Sequence, residues 1–171
     1  DPSTHHFKPS PVGLVPEEWE VEPLYRYLSF ISYGFTNPMP ETFDGPYLIT
    51  AANIVNGRID YASCRHTSQE AFDRLLTPKS RPITDDILLT SMPRTPGRAN
   101  LRLAVATPDQ AGAAPGRGVA LLRAVPDRLD PWFLAAFLST GDSGMSQTTS
   151  TGLRGDRSRT RIPLLPMAQQ R

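Results

Sequence analysis

A short apolar run closed on both sides by turn-forming residues sets the first limit on the fold. Residues 87–90 are Ile-Leu-Leu-Thr, follow Asp85-Asp86, and are followed by Pro93, Pro96 and Gly97. A run this short is typical of a buried strand rather than a helix. The prolines behind it exclude a helix or a central strand there and restrict the backbone. We therefore expect a buried strand that leads into a restrained loop.

Proline is frequent along the whole chain and limits the length of the other elements. With 18 prolines and 39% hydrophobic residues among 171, short elements joined by ordered loops are favoured over long helices. This length suits one domain with a sizeable core. The sequence has no run of about 18 apolar residues and no signal peptide, so we expect a soluble, cytoplasmic protein. It begins at Asp1 without an initiator Met, which we interpret as a segment of something longer.

Charge is distributed unevenly although the net charge is only +1. Residues 1–85 contain seven Lys and Arg against eleven acids, whereas residues 86–171 contain eleven arginines against six acids. A basic half of this kind is typical of a surface that meets a polyanion. A merely solvated face is the alternative at this point.

Local signals predict a hairpin, a short helix and further strands. Asn56-Gly57 is the dipeptide of tight type I′ hairpins, because both positions need positive φ. Thr67 and Glu70 have capping-box spacing and predict a helix; its apolar face comprises Ala71, Phe72, Leu75 and Leu76. Residues 101–106 and 119–125 are apolar and predict two more strands.

The second half also predicts a capped helix and a closing strand. Asp130-Pro131 supplies an N-cap and an N1 proline for a helix over residues 132–138. This helix is apolar nearly all round, so we expect deep packing with its aromatic residues in the core. Residues 162–166, Ile-Pro-Leu-Leu-Pro, predict an edge or closing strand, since proline cannot donate to an interior ladder.

Catalytic and metal-binding chemistry is difficult to assemble from this sequence. It contains no Gly-rich phosphate loop, no Gly-x-Ser-x-Gly elbow and no Cys/His ligand series. Three histidines, His5, His6 and His66, are too few and too scattered for a zinc site. Cys64 is the only cysteine and forms no internal disulfide. Asp85-Asp86 predicts a turn, and the enzyme alternative is a small metal-dependent nuclease that uses these two acids.

An ordered series of motifs resembles a known family. The chain carries, in this order, WEVEPL, GPYLITAANIVNGRID, DILLT followed by Gly97-Arg98, LDPWFLAAFLST, Thr151-Gly152 and RIPLLPMAQQR. This series resembles a target recognition domain from the specificity subunit of type I restriction-modification systems, over nearly the whole chain. In the family the terminal Ile-Pro-Leu-x-Pro segment leads through Glu-Gln into a long helix, and here the corresponding pair is Gln169-Gln170.

The resemblance implies an architecture and a domain organisation. The expected fold is a single α+β domain with a curved, mainly antiparallel sheet and a few short helices. We expect an extended leading segment over residues 1–16, a DNA target recognition domain over residues 17–166, and the start of a truncated connecting helix over residues 167–171.

The resemblance also implies a function without catalysis. The chain would bind duplex DNA and read one half of a bipartite target. Partner methyltransferase subunits would methylate adenine N6 with S-adenosylmethionine, and a motor-nuclease subunit would cleave DNA with ATP and Mg²⁺. This chain itself would hold no cofactor and no metal. A protein-interaction module, whose basic loops bind an acidic protein, remains a further alternative.

Eight basic residues are the predicted DNA contacts: Arg94, Arg98, Arg102, Arg154, Arg157, Arg159, Lys79 and Arg81. Arg94 and Arg98 lie on the restrained loop, where a guanidinium loses less conformational entropy on binding. We expect base-edge contact from Arg94 and phosphate contact from the others. The alternatives are an ordinary solvated turn for the central loop and a disordered loop for the Gly-, Ser- and Thr-rich residues 139–160.

Overall fold

The computed structural model describes residues 6–32, 37–91, 101–107, 112–140 and 160–170. Within these ranges thirteen strands are present: β1 Phe7–Ser10, β2 Gly13–Pro16, β3 Glu20–Pro23, β4 Leu28–Ser32, β5 Glu41–Ile49, β6 Ile54–Val55, β7 Arg58–Ile59, β8 Arg65–Thr67, β9 Ile87–Ser91, β10 Leu101–Val105, β11 Ala114–Pro115, β12 Ala120–Ala124 and β13 Arg161–Leu164. The α-helices of the described residues are α1 Gln69–Leu75, α2 Pro131–Ser139 and α3 Met167–Gln170. Short 3-10 turns cover Leu24–Tyr27, Ala51–Asn53, Tyr61–Ser63 and Pro78–Ser80. No helix in these ranges has the length and apolar character needed to span a membrane.

The predicted buried strand is β9, and it lies inside a four-stranded antiparallel sheet. The strand order is β10-β9-β12-β4. Side chains alternate across a strand, and β9 accordingly contributes to two cores. Ile87 and Leu89 face the cluster that contains the buried residues of α2, whereas Leu88 faces a second cluster with Ile54. The prediction for residues 87–90 is confirmed, and burial on both faces makes β9 the rigid centre of the fold.

A second sheet lies beside the first and supports α1. Its strand order is β11-β5-β8, with β5 parallel to β11 and antiparallel to β8. The β5–β8 register shifts between Thr42 and Tyr47. Gly45 lies in this irregular part with φ +116°, and a Cβ there would clash with the Thr67 carbonyl oxygen. The predicted α+β fold with mainly antiparallel pairing is thus confirmed, and β11 with β5 adds a parallel pair.

The predicted hairpin tip at Asn56-Gly57 is also confirmed. β6 and β7 pair antiparallel, with Val55 opposite Arg58. Asn56 has φ 50° and Gly57 has φ 77°, which is the left-handed conformation that a type I′ turn requires. Ile54 and Ile59 are buried and anchor this hairpin to the core beside β9.

The observed N-cap residue agrees with the prediction for α2 and differs from it for α1. The Asp130 carboxylate accepts hydrogen bonds from the N–H groups of Trp132 and Phe133, as predicted. The α1 cap is Ser68, whose hydroxyl accepts from Ala71 N–H at 3.1 Å, and not Thr67. Thr67 is fully buried in β8, and its hydroxyl donates to the Pro40 carbonyl at 2.7 Å, which leaves the next residue to cap the helix.

Deep packing of α2 on every side was a wrong prediction. Leu134, Ala135 and Leu138 are buried in the core, and Phe133 and Phe137 pack partly against it. Trp132, however, is 56% exposed. An apolar composition cannot distinguish the faces of a helix, and only the sheet that covers one side determines which face is buried.

The C-terminal part of the described chain closes the fold. β13 pairs antiparallel with β3, with Pro163 opposite Val21 in a two-stranded sheet. This pairing confirms the predicted edge or closing strand. Ile162 is fully buried in the same cluster as Leu24. The segment that was predicted to be extended, residues 1–16, includes the antiparallel pair of β1 and β2.

Candidate nucleic-acid interface

The end of the central sheet nearest the predicted loop carries an exposed arginine beside the hairpin tip. Arg102 lies in β10 opposite Thr90 of β9 and is exposed. A cleft of about 220 Å³ adjoins it. The residues that line this cleft are Ile54, Asn56, Gly57, Arg102, Leu103 and Ser139. The hairpin tip, β10 and the end of α2 therefore converge at one place.

Five of the eight predicted contacts lie outside the described residues: Arg94, Arg98, Arg154, Arg157 and Arg159. Their flanking residues are nevertheless placed. Arg102 follows residues 92–100 closely, and Ser139 precedes residues 141–159. Arg102 and Ser139 line the same cleft. A described residue close in sequence to each of the two basic segments therefore lies at this cleft.

Arg58 is a candidate that the sequence analysis missed. It is exposed on β7, next to the Asn56-Gly57 tip. Within the described ranges none of the ion pairs involves Arg58 or Arg102. The sequence did contain a signal for this candidate. Arg58 immediately follows the hairpin dipeptide, and the turn fixes its position at the surface.

Lys79 and Arg81, the other two predicted contacts, differ in their availability. Lys79 is exposed on the 3-10 turn after α1. The Arg81 guanidinium lies 4.5 Å from the centre of the Phe72 ring, forms an ion pair with Asp73 at 3.0 Å, and donates to the Leu76 carbonyl. Both polar contacts use Nη2, and together with the Phe72 ring they hold the guanidinium against the end of α1. Arg81 is therefore less free to reach a phosphate than the exposed Lys79.

Asp86, one of the two acids of the nuclease alternative, is held in a buried ion pair. Its side chain is 1% exposed, and its two oxygens accept from Arg123 Nε at 2.8 Å and Arg123 Nη2 at 2.7 Å. Ile83 N–H donates to the same carboxylate at 2.8 Å. The hydrogen bonds between Arg123 and the Asp86 carboxylate raise the pKa of Arg123. A metal at Asp86 would have to displace a bidentate, charge-assisted pair.

Asp85 is exposed and lies in the left-handed region with φ 70°. Its N–H donates to the Ala106 carbonyl at 2.7 Å, which is consistent with the predicted turn. No group of three or more His, Cys, Asp or Glu residues with metal-binding geometry occurs in the described ranges.

Cys64 has the environment of a structural thiol. Its sulfur donates to the Asp60 carbonyl at 3.4 Å. Burial, and secondarily the Asp60 carboxylate, raises the pKa of the Cys64 thiol to about 11. Since a nucleophilic cysteine needs a lowered pKa, Cys64 remains protonated and unreactive near neutral pH.

No protein-family model and no curated protein matches this chain. Several solved structures share its fold, including the two that follow. One is the HsdS subunit from Thermoanaerobacter tengcongensis, with a TM-score of 0.63 and 20% identity over 96% of this chain and 37% of that one. The other belongs to a type I R-M system studied for its complex assembly and conformational transition. Its TM-score is 0.63, with 21% identity over 91% of this chain and 36% of that one.

The chain thus spans little more than a third of the length of either structure. At these identities the likeness establishes the fold. The ordered sequence motifs and the likeness in three dimensions indicate the same fold. The chain therefore has the fold of one segment of an HsdS subunit of a type I restriction-modification system.

Proposed function

We propose that this chain is a DNA target recognition domain, which binds duplex DNA and reads one half of a bipartite target. The observation that carries the proposal is the HsdS fold over at least 91% of the chain. The proposed surface is the cleft formed by the hairpin tip, Arg102 and Ser139, together with the two basic segments that adjoin it in sequence. Arginine and lysine on such a surface position the phosphate backbone, and base edges supply the specificity.

The proposed role is non-catalytic. Methylation of adenine N6 with S-adenosylmethionine is assigned to partner methyltransferase subunits, and ATP- and Mg²⁺-dependent cleavage to a motor-nuclease subunit. The engagement of Asp86 by Arg123 supports this division, because the nuclease alternative needs that carboxylate for a metal.

Binding to duplex DNA is expected to weaken steeply as salt increases. About four to six phosphate contacts imply a slope of about −4 to −5 in a plot of log affinity against log salt. Arg102→Ala is expected to weaken binding to all sequences alike and to reduce the steepness of this slope by about one. Fluorescence anisotropy with a labelled duplex over a salt series would measure both quantities.

Arg128→Ala is the matched control because it removes the same charge elsewhere. Arg128 follows β12, in which Leu122 pairs with Ile87 at the start of β9. Its guanidinium lies 4.7 Å from the centre of the Tyr27 ring. The Arg128→Ala variant should show the same slope of log affinity against log salt as the parent chain. A slope near zero for the parent chain would refute DNA binding, and equal effects of the two variants would remove Arg102 from the interface.

Arg94→Ala and Arg98→Ala are expected to differ in kind, although each removes one charge. Arg98 follows Gly97 and keeps the Gly-Arg pair of the family resemblance, so its loss should weaken all sequences alike. Arg94 lies where this chain departs from the family. If it contacts guanine, its loss should cost about 1 to 3 kcal/mol on the preferred sequence and much less on scrambled DNA. Paired titrations at one salt concentration, with a target chosen from a randomised library, test this; equal losses on both duplexes would remove Arg94 from base contact.

A further inference from the structure

A groove with an apolar floor and an acidic rim lies at the opposite end of β9 from Arg102. It encloses about 540 Å³, which is within the range of about 300 to 1,000 Å³ typical of ligand sites. The residues that line it include Ile83, Asp85, Asp127, Leu129, Trp132 and Met167. Arg102 lies opposite Thr90, four residues beyond Asp86 at the groove, so the groove and the level of Arg102 are about 13 Å apart.

The apolar part of the groove is open to solvent. Ile83 is 48% exposed and Trp132 is 56% exposed, while Leu129 between the two segments is buried at 2%. Trp132 occupies the first turn of α2, where the Asp130 carboxylate holds its backbone N–H at 2.9 Å. This cap fixes the backbone of Trp132 and leaves its ring at the surface. Tryptophan is one of the residues enriched at interaction hot spots.

The charged part of the groove is negative. Asp85 and Asp127 are exposed, and neither belongs to an ion pair among the described residues. Arg123 is the one basic residue that lines the groove in the described part of the chain, and its guanidinium forms an ion pair with Asp86. The Asp130 carboxylate also lines the groove and accepts hydrogen bonds from the start of α2. A phosphate backbone would be repelled here, whereas a cation is attracted.

We propose that this groove binds a segment of a partner protein in which Lys or Arg alternates with large apolar residues. Apolar side chains of that segment cover Ile83 and Trp132, and its cations meet Asp85 and Asp127. The domain then has two binding surfaces at opposite ends of β9. The proposed cleft at one end binds a polyanion, and the groove at the other end binds cations. The groove proposal does not depend on the DNA-binding proposal, because none of the described residues lines both surfaces.

The test is a titration of the chain with two blocked hexapeptides, one alternating Lys with Leu and the other alternating Glu with Leu. Trp132 fluorescence is followed in a Trp19→Phe background, since the chain has two tryptophans. We expect saturable binding of the Lys peptide and none of the Glu peptide. Asp85→Asn with Asp127→Asn should weaken binding by about twofold to thirtyfold at low salt, the range for two exposed ion pairs. Trp132→Ala, followed by calorimetry, should weaken it by about tenfold.

Asn is chosen at both positions because Asp85 and Asp127 have φ of 70° and 60°, which Asn tolerates. The control pair, Asp44→Asn with Glu18→Gln, removes two acids that do not line the groove and should leave the peptide affinity unchanged. DNA binding by the Asp85 and Asp127 double variant should equal that of the parent chain. Equal affinity for both peptides, an equal loss in the control pair, or self-association that Trp132→Ala abolishes would overturn the proposal.

Discussion

Replacing Arg123 with methionine is expected to destabilise the domain by about 3 kcal/mol, because it leaves the Asp86 carboxylate buried without its counter-ion. Asp86 is 1% exposed and receives two hydrogen bonds from Arg123. The same guanidinium donates to the Arg81 carbonyl at 3.2 Å, so the variant also loses a link to the segment that precedes β9. Urea denaturation followed by circular dichroism would measure the change in the free energy of unfolding.

Two further variants separate the ion pair from general effects of the substitution. Arg58→Met makes the same chemical change at an exposed position without an ion pair among the described residues, and it should change the free energy of unfolding by less than about 0.5 kcal/mol. Adding Asp86→Leu to Arg123→Met should recover part of the loss, since removing both charges removes the uncompensated one. A cost below about 1 kcal/mol for Arg123→Met would contradict a structural role for this pair.

The features that the sequence predicted correctly have causes within a few residues of each other. The Asn56-Gly57 tip, the Asp130 cap and the run of residues 87–90 each depend on local backbone preference and on a short apolar pattern. The structure places all three where they were predicted. The family resemblance then supplied the mainly antiparallel arrangement, which periodicity alone does not determine.

The features that could not be predicted from the sequence depend on contacts between distant segments. Asp86 and Arg123 are 37 positions apart. The residues near Asp86 in the sequence do not show that it is buried while the neighbouring Asp85 is exposed. Thr67 had the expected capping spacing, but the Pro40 carbonyl, 27 positions away, takes its hydroxyl. The exposure of Trp132 likewise depends on which face of α2 the sheet covers. Tertiary packing overrides local preference at each of these positions.

Deleting the chain from Arg161 onward is expected to abolish cooperative unfolding or to lower the free energy of unfolding by more than about 4 kcal/mol, a large part of the usual total. The deletion removes β13 from its pairing with β3 and takes the fully buried Ile162 out of the main core. It also removes Gln170, whose side-chain oxygen accepts from Asp130 N–H at 2.8 Å and whose amide donates to the Leu165 carbonyl. Thermal and urea melts of the truncated and parent chains would show the difference.

The position of the cut identifies which of these contacts matters most. Ile162→Ala in the full chain should cost about 2 to 5 kcal/mol, the range for a large aliphatic side chain removed from a packed core. Deleting only residues 167–171 leaves β13 in place and removes the Gln170 hydrogen bond to Asp130, which should cost about 1 kcal/mol. The expected order is therefore the short deletion, then Ile162→Ala, then the long deletion. Identical melting of the long deletion and the parent chain would make residues 161–170 a linker, and the β3–β13 pair would then contribute nothing to stability.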